Sequence, residues 1–283
     1  MKKTIKYASA LLGSLVLALG LTACGDKAES NSAQSTSSLE QIKKNDVIRI
    51  GVFGDKPPFG YVDSNGKNQG FDIEIAKDLA KNLLGDENKI DFVLVEAANR
   101  VEYLQSNKVD IILANFTQTP ARAEVVDFAK PYMKVALGIV SKDGEVISDV
   151  AQLDGKTLLV NKGTTADTYF SKNYPNLNLL KFEQNTETFE ALRDGRGAAL
   201  AHDNTLLFAW AKENPGYTVG VRSLGDLDYI APAVKKGDSE LLNWLNSEIE
   251  TLGKNGKLLE AYNKTLLPVY GDSVQVDDVV VSY

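Results

Sequence analysis

From residue 47 onward the chain alternates apolar runs of strand length with segments of helical periodicity. That alternation restricts it to an α/β fold in which helices pack on the faces of a sheet. Residues 47–52 are predicted as a strand with Ile48, Ile50 and Val52 on one side. Asp72 is predicted to cap a helix on which Ile73, Ala76, Leu79, Ala80 and Leu83 recur at helical spacing. Residues 90–95 and 109–114 read as strands, and 100–105 as a short helix. Thr119-Pro120 opens a further helix, with proline in the first turn where its missing N–H costs nothing. The scheme then repeats: a strand at 157–161, a turn at 162–165, helices at 166–172 and 188–194, and a strand at 198–201. Residues 101–115 and 189–203 each read helix, polar turn, apolar strand, then polar residues at the strand's carboxyl end. Two lobes of one kind would produce this echo, as would two generic βαβ units. Helices around 241–252 and 257–266 and a strand-prone tail complete the pattern.

The first 24 residues constrain location rather than fold. Lys2, Lys3 and Lys6 precede an apolar stretch at 7–23, which is shorter than the roughly 20 residues of a spanning helix. Residues 1–23 therefore read as an export signal. The signal ends Leu21-Thr22-Ala23-Cys24 on the only cysteine of the chain, and this resembles a bacterial lipobox. That resemblance implies cleavage before Cys24, acylation of its thiol with palmitate, and a cell-membrane anchor, since several acyl chains hold where one binds only marginally. An ordinary secretory signal that happens to end near a cysteine is the alternative. Residues 24–38 then carry no large apolar side chain and read as a flexible tether. Removing the signal deletes three lysines and no acid, taking the formal charge from −7 to −10. So acidic a chain has no field for nucleic acid or anionic lipid. With Cys24 acylated, the 245 residues from Leu39 contain no thiol and no disulfide, so burial must hold them together.

Ligands of open α/β sheets bind at the carboxyl ends of strands. Those ends here present Asn115-Phe116-Thr117, Gly163-Thr164-Thr165 and Asp203, with Arg122 just inside the next helix. Arg122 offers a planar fork for a carboxylate. The Gly163-Thr164-Thr165 turn opens a helix whose N–H groups favour an anion. Asp203 suits an ammonium, and Thr117 and the carbonyls near Asn115 add neutral partners. Together they make a socket for the zwitterionic head of an α-amino acid. Taken singly, Arg122 reads as a surface charge and Gly-Thr-Thr as a plain helix start.

Five ordered motifs then resemble the polar amino-acid solute-binding proteins of ABC importers: Phe53-Gly-Asp-Lys-Pro-Pro-Phe-Gly-Tyr61, Gly70-Phe-Asp-Ile-Glu-Ile-Ala-Lys-Asp-Leu-Ala80, Thr117-Gln-Thr-Pro-Ala-Arg122, Val126-Asp-Phe-Ala-Lys-Pro-Tyr132 and Lys162-Gly-Thr-Thr165. The resemblance spans essentially the whole mature chain. It implies a two-lobed type II periplasmic-binding-protein fold, with residues 39–136 and 231–283 in one lobe, 137–230 in the other, and two crossover strands between them. It also implies that Arg122 binds the ligand carboxylate beside Thr117, that Thr164 and Thr165 form the backbone anion site, that Asp203 binds the ammonium, and that Phe59 is a pocket wall. The expected partners are an amino acid as small-molecule ligand and an ABC permease in the membrane, the expected state is a monomer, and no cofactor or metal is expected. Residues 97–104, 115–117 and 202–210 look most like the cysteine-binding lipoproteins of this family. The Asn99-Arg100 pair also resembles the acidic amino-acid binders, whose arginine grips the ligand's side-chain carboxylate. Arg100 therefore divides cysteine from aspartate or glutamate.

An enzyme is the contrasting class, and some relatives of this fold are dehydratases. His202 is the only histidine and adjoins Asp203, but neighbouring side chains on a strand point to opposite faces, so no mutual bond is expected. No Gly-x-Ser-x-Gly elbow is present, and one histidine with no free cysteine makes a poor metal site. A surface adhesin is compatible with the same sequence.

Overall fold

The computed structural model describes residues 37–283; the signal, Cys24 and nearly all of the tether lie outside the described residues. The Ile48–Val52 strand lies inside the first sheet, paired on both sides. Ile48, Ile50 and Val52 are wholly buried, and Gly51 lies so close to Ile112 that a Cβ there would stand 2.5 Å from its Cδ1. Strands run Ile90–Leu94, Ile48–Val52, Ile111–Ile112, Ala233–Lys235, Val126–Phe128 across this sheet, the first three parallel and Ala233–Lys235 antiparallel to both of its neighbours. The strand expected at 109–114 shrinks to Ile111–Ile112, although the Asp110 and Leu113 N–H groups still donate to Arg49 and Gly51 carbonyls. Asn115, at φ 44°, turns the chain out of the sheet there.

The second sheet repeats the arrangement: Asn178–Phe182, Thr157–Asn161, Ala199–Asp203, Met133–Lys142, Tyr217–Ile230. Its last two strands are long and antiparallel, paired from Lys142 with Tyr217 to Met133 with Ile230. At that far end they meet the first sheet's loops. Ile230 bridges Thr117, the Gln118 N–H donates to the Tyr229 carbonyl, and the Ala231 N–H donates to Phe116. Two strands thus cross from one sheet to the other and meet Phe116 and Thr117 at the junction.

Two expectations need correction. The Phe71–Leu84 helix is not capped by Asp72: its cap position is Gly70, and the Phe71 and Asp72 N–H groups donate to the Pro58 and Phe59 carbonyls. Gly70 holds φ 118°, and a Cβ would fall 2.3 Å from the Phe59 oxygen, so no other residue fits. Asp72 points inward instead. The tail is also helical rather than extended, with turns at Leu267–Tyr270 and Val276–Val279 and a single β-bridge, Val280 with Met133, among the described residues. Pro268 sits in the first of these turns, and the Tyr270 hydroxyl donates to the Thr205 carbonyl at 3.0 Å, anchoring the tail.

The Ser239–Lys254 helix buries Leu241, Leu245, Ile249 and Leu252 beside the Ala233–Lys235 strand. Each such side chain contributes about 1.5–3 kcal/mol by leaving water. Among the described residues no helix is long and apolar enough to cross a membrane.

Candidate functional site

The residues singled out at the strand ends meet between the two sheets. Thr119 caps the short Pro120–Ala123 helix, its hydroxyl accepting the Arg122 N–H, and so fixes where the Arg122 side chain starts. Arg122 Nη1 donates to the Thr117 carbonyl at 2.7 Å and Nη2 to the Gly163 carbonyl at 2.8 Å. That takes two of its five N–H groups and leaves the others for a ligand. Its guanidinium carbon lies 4.7 Å from the centre of the Phe116 ring, so Phe116 is the platform beneath the fork. Burial lowers Arg122 to about 10, and it stays charged at neutral pH.

Gly163 packs its backbone against that of Ala98 in the other lobe. It holds φ 73°, and a Cβ would stand 2.6 Å from the Ala98 Cα. Thr164 caps the Thr165–Asn173 helix: its hydroxyl donates to the Asn161 carbonyl at 2.7 Å and accepts the Asp167 N–H at 3.2 Å. The Thr164 hydroxyl is therefore occupied by the helix start. The Thr165 and Ala166 N–H groups that follow it lie in the first turn, where a helix supplies no acceptor, and are suited to an anion.

Asp203 ends the Ala199–Asp203 strand and is buried. One oxygen lies 3.5 Å from the Thr165 hydroxyl; the other takes the Lys56 ammonium at 2.8 Å. Lys56 comes from the other lobe, is only 2 % exposed, and also donates to the Asn115 side-chain oxygen at 2.6 Å. Burial would push the Asp203 carboxyl up, but the Lys56 charge and His202 hold it far below the ordinary carboxylate range. Burial lowers Lys56 in turn, against the Asp203 charge.

Arg100 is 3 % exposed and faces the backbone. It donates to the carbonyls of Ala97, Ala114, Asn115 and Gly163 at 3.0–3.3 Å, over the Phe116 ring. Four of its five N–H groups are thereby engaged. Burial and the neighbouring Arg122 charge lower its hold on its proton. Phe59 is fully buried, with its ring centre 5.8 Å from the Lys56 ammonium.

His202 departs from the expectation of opposite faces. Its Nδ1 accepts the Asp203 N–H at 2.7 Å and lies 3.4 Å from the Asp203 carboxylate. The pleat ends at Asp203, which starts the Asn204–Glu213 helix at φ −53°, ψ 126°, and this turns the two side chains together. Burial and then the Lys56 charge depress the imidazole, which is neutral, and among the described residues its Nε2 has no partner. A general base needs a free Nε2 facing a nucleophile; this one faces the core.

Sequence reasoning passed over three participants. Lys56 lies in the motif at residues 53–61, and nothing in its neighbours along the chain signals that its ammonium turns inward. Asp72, mistaken for a cap, accepts the Asn115 N–H and the Tyr132 hydroxyl, both at 2.8 Å, and burial pushes it up to about 7. Asp55 reaches the opposite lobe and accepts the Asn185 N–H at 2.7 Å, the Asn185 side-chain amide at 2.9 Å and the Thr186 N–H at 3.3 Å. The Asn185–Arg193 helix has no cap from its own cap residue, so Asp55 caps it across the lobes.

The family model for bacterial extracellular solute-binding proteins, family 3, matches residues 48–267. The chain belongs to that family. Its architecture is the two-lobed type II arrangement with two crossover strands, and membership places it among exported proteins. It is 66% identical to the solute receptor for L-cysteine of Neisseria gonorrhoeae, over 86% of this chain and 99% of that one, with a TM-score of 0.85. The cysteine-binding protein of Campylobacter jejuni is 62% identical over 87% of this chain and 100% of its own, with a TM-score of 0.86. The ABC transporter glutamine-binding protein GlnH of Bacillus subtilis is 36% identical over 93% of this chain and 97% of its own. All three are solute-binding proteins by name.

Proposed function

We propose that this protein captures an amino acid, cysteine, between its lobes outside the cytoplasm and delivers it to an ABC import permease, without chemical change to the ligand. Lobe 1 comprises residues 39–136 and 231–283, and lobe 2 residues 137–230. One observation carries the reading: a partly free Arg122 fork reaches Gly163, next to the helix start at Thr164-Thr165, and the buried Asp203 carboxylate lies 3.5 Å from the Thr165 hydroxyl. The first two suit a carboxylate and the third an ammonium, so a zwitterionic head fits between them. Thr117, Asn115, Phe116, Phe59 and Gly163 are the surrounding wall. The engagement of Arg100 with four carbonyls leaves it a poor anchor for a side-chain carboxylate, which supports cysteine over aspartate or glutamate. The cysteine receptors at 62–66% identity support the same choice. His202, neutral and facing the core, supports binding without catalysis.

Thermal-shift screening of the twenty amino acids and cystine tests this function. Cysteine is expected to give the largest shift, since a ligand at 100 times its dissociation constant stabilises by about 2.7 kcal/mol. A flat response to cysteine beside a clear one to another amino acid rejects it.

The proposal includes a lipid tether at Cys24. A Cys24→Ser variant is expected to leave the membrane fraction or keep its signal uncut. Fractionation and migration identical to wild type would refute the tether and leave the binding site untouched.

A further inference from the structure

Lys56 occupies the place that the ligand's own ammonium is expected to take. Its Nζ bonds Asp203 at 2.8 Å and the Asn115 side-chain oxygen at 2.6 Å, with the Phe53 and Phe59 ring centres 5.3 and 5.8 Å away. When a zwitterion enters, its ammonium competes for Asp203 and its carboxylate pairs with Arg122. Lys56 then shares or loses the one anion that contacts it among the described residues while remaining enclosed, and a buried cation without a counter-charge is costly. A neutral side chain on the ligand leaves that deficit in place. A negative one removes it.

The other charged groups facing Lys56 do not fill the gap. His202, on the Asp203 strand, is neutral, and Arg100, from its own helix, is a further cation. Asp72, on the Phe71–Leu84 helix, is committed to Tyr132 and the Asn115 N–H. At the rim, the half-exposed Asp228 faces Arg122 instead.

Resting on the cysteine reading above, we infer that Lys56 reads the charge of the ligand's side chain and that cysteine is bound as its thiolate. The S–H proton leaves to solvent, the sulfur keeps the electron pair, and the Lys56 ammonium becomes its counter-ion. A thiolate suits this corner better than a carboxylate does. Its charge sits on one polarisable atom that tolerates the Phe53 and Phe59 rings, whereas a carboxylate presents about four acceptor sites and the adjoining fork of Arg100 is engaged. Selection against serine follows, because its hydroxyl has the same reach but does not ionise at neutral pH.

Calorimetry on the full chain at pH 7, in two buffers of different ionisation enthalpy, counts the protons released by L-cysteine under reducing conditions and by L-serine. Free thiol titrates near 8.5, so cysteine is expected to release close to one proton more than serine, with the ultraviolet absorption of a thiolate appearing on binding. Any proton lost from Lys56 or Asp72 through contact with the head group appears with both ligands and cancels. Lys56→Met is expected to lower the cysteine-to-serine affinity ratio by about tenfold or more and to remove the excess proton. Equal proton release for the two ligands, or an unchanged ratio in Lys56→Met, overturns the inference; the wild-type count decides it even if that variant does not fold. Should neither ligand bind and another amino acid do so, the cysteine reading fails separately. Lys56-dependent affinity for an anionic side chain then sustains the role of Lys56, and tight binding of a neutral one refutes it.

Discussion

Calorimetry on Arg122→Ala is expected to show ligand affinity reduced by about 2–5 kcal/mol, because a charge-assisted contact is lost and the ligand carboxylate is left facing a partly buried wall. The fold should survive. Arg122 starts from a helix of only four residues, and its two contacts are to carbonyls of Thr117 and Gly163 rather than to a buried charge. A Lys substitution should recover little, since an ammonium cannot supply the planar fork. Near-wild-type affinity in Arg122→Ala would remove the proposed carboxylate site while leaving the architecture intact.

Asp203→Ala should damage both binding and stability. Besides the ligand's ammonium, it strips the Lys56 ammonium of its partner in a setting where both side chains are at most 5% exposed. Breaking one side of a buried pair costs about 3–5 kcal/mol, which for a body of this size lowers Tm by on the order of 10 °C. Adding Lys56→Met should restore much of the stability, because replacing both charges by apolar groups is often nearly neutral, yet should not restore binding. The same pair sets an acid limit. The folded Asp203 carboxyl is depressed, so its contribution is present above the unfolded carboxylate range, about pH 4, and is lost as pH falls below it. An Asp203→Ala variant of unchanged Tm would show that the pair is not held in solution.

How much was legible from sequence follows from what each residue's neighbours in the chain reveal. Residues 157–161 and 100–105 were placed to the residue because apolar periodicity there reflects burial on one element. Thr119-Pro120 announced its helix through local cap chemistry alone, as did Thr164 less directly. Asp72 misled because an acid before an apolar periodic run looks like a cap, and only the fold shows that Pro58 and Phe59 supply the cap carbonyls. Lys56 was illegible for a sharper reason. Its partners Asn115 and Asp203 stand 59 and 147 residues away, and no local pattern distinguishes an inward lysine from a solvated one. Arg100 was recognised as the deciding residue, but its state depended on four carbonyls contributed by three separate segments.

The central claim is that the cleft holds cysteine rather than an acidic amino acid, and competition binding of cysteine against aspartate and glutamate under reducing conditions tests it most directly. Cystine is run alongside, because cysteine oxidises in air. With Arg100 engaged by backbone carbonyls, the second carboxylate of an acidic ligand would meet the Lys56 ammonium but leave most of its roughly four acceptor sites unpaired, a penalty of several kcal/mol. The account predicts that cysteine displaces both acids at concentrations far below those at which they displace it. Tighter binding of aspartate or glutamate, lost in Arg100→Ala, would contradict it.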